Sequence, residues 1–66
     1  MFTETSLKKM DPAMSLSLIN MKLRDQFSSL SDFANYYDLS ELFISVLMTT
    51  NNWRYDEQSN QLKENG

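Results

Sequence analysis

The chain has 66 residues and a single glycine, Gly66, so no internal turn can use glycine's easy access to positive φ. Strand-rich folds need many tight turns, and the favoured hairpin turns lean on glycine. Helices joined by short polar links suit this chain better. The only proline supports the same reading. Asp11-Pro12 is a helix start, because the carboxylate can cap free N–H groups and Pro12 has its φ preset for the first helical position.

From that start the spacing predicts a helix from about Pro12 to about Phe27. Leu16, Ile19, Leu23 and Phe27 fall in one narrow sector, the inward stripe of an amphipathic helix, with Asn20 beside it. Met14, Leu18 and Met21 form a second stripe on nearly the opposite side. Only one of these faces can meet the chain's own core. The other is expected either to lie under the amino-terminal residues or to meet another chain.

Ser29 with Asp32 three residues later predicts a short second helix over 30–37, whose apolar side is Leu30, Phe33, Ala34 and Tyr37. Asp38 can take a left-handed turn, and Ser40 can cap a third helix from Glu41 to about Thr50 with Ile44, Leu47 and Met48 inward. Asn51-Asn52 is turn chemistry, and Trp53 to Tyr55 alternate as a strand would, closing through 56–60 onto Gln61, Leu62 and Lys63. The expected fold is mainly α: a three-helix domain over residues 11–63 with a short carboxy-terminal β-hairpin. Residues 1–10, with isolated Phe2, Leu7 and Met10, read as an arm, and 64–66 as a loose end.

With neither Cys nor His, the chain lacks a disulfide framework, thiolate chemistry and the usual general base. Its serines have no base to activate them, and no Gly-rich phosphate loop is present. Asp25, Asp32, Asp38 and Glu41 occupy cap and turn positions where they have structural uses. No catalytic residue, cofactor, metal or small-molecule substrate is expected, and the chain does not read as an enzyme. The apolar run 42–48 is far short of the roughly 20 residues that cross a bilayer. No signal-like apolar stretch opens the sequence, so a cytoplasmic location is expected and no membrane partner.

The second and third helices also have the spacing of a helix-turn-helix, with Phe33 and Ala34 inward on one, Asp38-Leu39 at the turn and Ile44 and Leu47 inward on the other. A DNA-binding regulator is therefore the alternative reading. Charge opposes it. The chain carries net charge −3, and from Asp25 to Trp53 there are four acids and no Lys or Arg. A recognition helix needs Arg, Lys, Asn or Gln aimed at bases and phosphates, whereas this one would offer Glu41, Leu42, Ser45, Val46 and Thr49. The leading expectation is a noncatalytic protein interaction module, a homodimer or a binder of another protein. Its contact residues would be Met14, Leu18 and Met21 on the first helix and Leu42, Phe43 and Val46 on the third.

The run DPAMSLSLINMKLRDQFSSLSDFANYYDLSELF, with NNWRYDEQSNQL after it, resembles a family of short bacterial proteins known as domain of unknown function 4250. The resemblance rests on Asp11, Pro12 and Ser17, then on Asn20, Lys22, Leu23, Arg24 and Asp25 as N-x-K-L-R-D. It continues through Ser29, Leu30, Asp38 and Leu39 to Tyr55, Asp56, Asn60 and Gln61. The chain departs from the pattern at Leu18, where the family has Val or Ile, and at Asn52, where a Gly precedes the aromatic. The resemblance implies a bacterial source and a shared small fold, and it implies no activity.

Overall fold

A computed structural model gives the fold and describes residues 2–65. The order is α1 (Glu4–Lys9), α2 (Pro12–Asp25), α3 (Leu30–Tyr36), α4 (Glu41–Asn51), β1 (Trp53–Asp56) and β2 (Gln61–Glu64). The three expected helices and the hairpin are present. Among the described residues no helix is long and apolar enough to cross a membrane.

Residues 2–10 are not an arm. Thr3 and Ser6 form a reciprocal capping box, with each side chain accepting from the other's backbone N–H at 3.0 Å, and this starts α1. Leu7 on α1 is fully buried, and Phe2 sets its ring edge-on to Phe33 and Tyr37 with centroids 5.4 and 5.1 Å away. Glu4 accepts from the Ser40 backbone N–H at 3.1 Å, which ties α1 to the start of α4. Apolar anchoring and one long-range hydrogen bond thus hold a six-residue helix that would be too short to persist alone.

Caps set the other starts. Asp11 accepts from Ala13 N–H at 3.2 Å, Ser29 from Asp32 N–H at 3.1 Å and Ser40 from Phe43 N–H at 3.1 Å. Asp32 does not return the bond to Ser29; its carboxylate accepts from Ser28 Oγ at 2.6 Å. Helix α2 stops at Asp25 rather than Phe27, with Gln26 as its C-cap.

Left-handed turns fall to Asp and Asn. Asp38, Asn52 and Asn60 have φ of 56°, 59° and 54°, and short polar side chains tolerate that region best after glycine. Asp38 turns the chain between α3 and α4, Asn52 ends α4 and Asn60 closes the hairpin loop.

The core contains Leu7, Ile19, Leu23, Phe33, Ala34, Leu39, Phe43, Ile44, Trp53 and Leu62. Leu16, Phe27, Leu30, Tyr37, Leu47 and Met48 pack around it half-buried, so the inward stripes of α2, α3 and α4 lie where their periodicity puts them. Ser15 is buried as well, and its hydroxyl donates to the Pro12 carbonyl at 3.0 Å.

The antiparallel hairpin pairs Trp53 with Glu64 and Asp56 with Gln61 at its ends. Glu64 belongs to β2, and Asn65 donates its backbone N–H to the Asn52 carbonyl at 2.9 Å, so neither is loose. Gly66, like Met1, lies outside the described residues. Side-chain amides fasten the hairpin to α2. Asn20 exchanges two hydrogen bonds with the Leu62 backbone, and Gln61 donates to the Asn20 carbonyl at 3.0 Å. Asn60 donates to the carbonyls of Leu23 and Phe27 at 3.0 and 2.9 Å, while Tyr55 donates to Asn60 Oδ1 at 2.6 Å and accepts from Leu30 N–H at 3.3 Å.

Candidate interaction surface

Much of the polar chemistry noted in the sequence is consumed by the fold. Asn20, Tyr55, Asn60 and Gln61 satisfy backbone groups of α2, α3 and β2, and Asp11, Ser29 and Ser40 cap helices. Arg24 pairs with its neighbour Asp25 at 3.1 Å on the open surface, a geometry that contributes little. Asp56 holds Lys63 at 3.0 Å across the hairpin and accepts from Ser59 Oγ and Gln58 N–H. The hydrogen bond from Lys63, then that from Ser59, keep its carboxyl below the ordinary value against the opposing effect of desolvation, with Gln58 N–H adding to the lowering. Among the described residues no three acids converge where they could hold a metal ion.

Apolar surface is also left uncovered. Met14 and Met21 on α2 are 57% and 40% exposed, and Leu42 and Val46 on α4 are 75% and 52% exposed. Leu18, between the two methionines in the stripe, is only half-buried and lines a cavity of about 180 Å³ with Phe2, Met10, Met21 and Lys22. Residues before α2 therefore cover part of its second stripe and leave its flanks open. Met10 also borders a cleft of about 280 Å³ that Leu7, Phe43, Val46 and Leu47 share. Met10 thus lies beside Met21 of α2 on one side and Val46 of α4 on the other.

Phe43 does not belong to this surface. It is 7% exposed and packs in the core. Taken at about 100° per residue, Phe43 leads an inward arc that continues through Leu47 and Ile44 to Met48, whereas Leu42 and Val46 lie on the other side.

The outward positions of α4, namely Glu41, Leu42, Ser45, Val46 and Thr49, are all exposed and include one carboxylate and no cation. Tyr36 at the end of α3 is exposed too, although its ring touches Phe27 and Tyr37 with centroids 5.4 and 4.9 Å away. The surface can bury apolar side chains against a partner, and it presents no array of donors for phosphate.

Neither the curated proteins nor the solved structures include a match to this chain. Residues 9–62, from the end of α1 to the middle of β2, match the model of the family described as a domain of unknown function, DUF4250, and the chain is a member of that family.

Proposed function

We propose that the chain is a noncatalytic interaction module that self-associates through the apolar belt formed by Met14, Met21, Leu42 and Val46. The observation that carries this reading is the exposure of these four side chains on two helices, with Met10 beside Met21 of one and Val46 of the other. A two-fold axis would let one such patch serve both partners. The absence of Cys and His from the sequence supports a binding role over a catalytic one.

Sedimentation equilibrium tests the proposal, with association expected at concentrations of about 0.1 mM, the weak end of specific contacts. A monomer at that concentration sinks it. The helix-turn-helix reading predicts instead salt-dependent binding to arbitrary duplex DNA. The missing cations on α4 argue for no measurable binding in such a titration.

A further inference from the structure

A separate groove of about 350 Å³ lies between α3, α4 and the hairpin. Leu30, Ala34, Ile44, Met48 and Tyr55 supply its apolar lining. Its other walls include two carboxylates, Glu41 at the start of α4 and Glu57 in the hairpin loop. Both are exposed, and among the described residues neither has an ion pair or a side-chain hydrogen bond. Five other acids are engaged, Glu4 with Ser40, Asp11 with Ala13, Asp25 with Arg24, Asp32 with Ser28 and Asp56 with Lys63, while Asp38 and Glu64 are exposed like Glu41 and Glu57 but do not line the groove. Neither α3 nor α4 carries a Lys or Arg to neutralise the groove.

We propose that this groove docks a short basic segment of a partner protein, one whose apolar side chain enters the groove while flanking Lys or Arg side chains reach Glu41 and Glu57. The apolar insertion supplies affinity, and the two carboxylates select a cationic segment over an anionic one. This goes beyond self-association, because the groove is lined by none of the four exposed belt side chains.

The test is an NMR titration of the ¹⁵N-labelled full chain with the capped peptide KKLLKK, using EELLEE as the counter-probe. Saturable amide shifts centred on Ala34, Ser45, Met48 and Glu57 are expected with the first peptide and none with the second. The double variant Glu41→Gln/Glu57→Gln should weaken binding about fivefold, the effect of losing two exposed ion pairs. Ser45→Trp, at an exposed position on the groove wall, should abolish the shifts while circular dichroism stays unchanged. Shifts that spread over Asp11, Asp25 and Glu64, equal binding of EELLEE, or an unaltered double variant would each overturn the proposal. Groove shifts that grow with protein concentration alone and vanish in Lys8→Glu/Lys9→Glu would place a second copy there instead, which also overturns it. Repeating the titration on Met14→Glu keeps the result independent of dimer formation.

Discussion

Asn20 pairs with Leu62 as a neighbouring strand would: its Nδ2 donates to the Leu62 carbonyl at 2.9 Å and its Oδ1 accepts from the Leu62 N–H at 2.7 Å. In an antiparallel pair both backbone groups of a residue point to the same side, so these two face away from β1. One helix side chain therefore occupies part of the edge that a two-stranded sheet leaves open.

Asn20→Ala should destabilise the domain by about 2–3 kcal/mol, because two hydrogen bonds go and the backbone of a buried residue is left unpaired. That is a large share of the stability of a domain this small. Urea unfolding measures it. A loss under about 0.5 kcal/mol would mean that water replaces the amide without cost.

Asn52 takes the left-handed conformation at the end of α4, with φ 59° and ψ 46°, a region that glycine enters at no steric cost. Its side chain also meets Asn65 through two contacts of 3.3 Å. Asn52→Gly relieves the backbone but gives up those contacts, so its unfolding midpoint should stay close to wild type. Asn52→Ala raises the backbone cost and loses the contacts as well. It should be less stable by about 1 kcal/mol, which thermal unfolding would resolve.

The legible parts of the fold were those written in local chemistry. Asp11, Ser29 and Ser40 name their helices because an N-cap needs only its own side chain and the next turn. Asp38 declares its turn in the same way. Helix α1 was not legible. Its capping box uses Ser6 where Glu or Gln is the familiar signal, and Leu7 is its one buried residue, so no period exists to detect. What holds α1 in place is remote in sequence: Phe33 and Tyr37 for Phe2, and Ser40 for Glu4. The outer apolar side chains of α2 and α4 were legible as a second face, but the sharing of Leu18 with Phe2 and Met10 was not, because it depends on where α1 lies.

Asp56 gives the hairpin a pH dependence. Its carboxyl titrates below its ordinary value of 3.8 in the folded chain, chiefly through the hydrogen bond from Lys63 and then that from Ser59. As pH falls the unfolded chain therefore takes up this proton first. The stabilisation is present above the unfolded value and is lost as pH drops through the folded one. Amide shifts of Ser59 and Lys63 should report the hairpin loosening in that acid range, and Asp56→Asn should remove this part of the response. An identical acid response in the variant would assign it to another group.

The three members of the second α2 stripe should respond differently to substitution. Leu18 lines a cavity with Phe2 and Met10, so Leu18→Glu places a charge beside the segment that carries α1 and should loosen it as well as disturb any contact with another chain. Met14 and Met21 are exposed and can accept Glu without loss of core packing. Full burial of one such side chain is worth about 1.5–3 kcal/mol, and at 57% and 40% exposed Met14 and Met21 have together about one side chain's worth left to bury, so both sides of a symmetric contact supply about 3–6 kcal/mol, near the lower part of the 4–15 kcal/mol cost of association. The margin is narrow. One Glu per chain, brought close to its own copy across a two-fold axis, is enough to reverse it. Met14→Glu should thus convert the associated form to monomer in sedimentation equilibrium while thermal unfolding shifts by less than about 0.5 kcal/mol, the usual limit for a surface substitution. Leu18→Glu should lower both association and stability, and the Phe2 ring contacts with Phe33 and Tyr37 should weaken with it in NOE spectra. A Met14→Glu chain that still associates would move the self-contact off α2 and leave Leu42 and Val46 as the pair to substitute next.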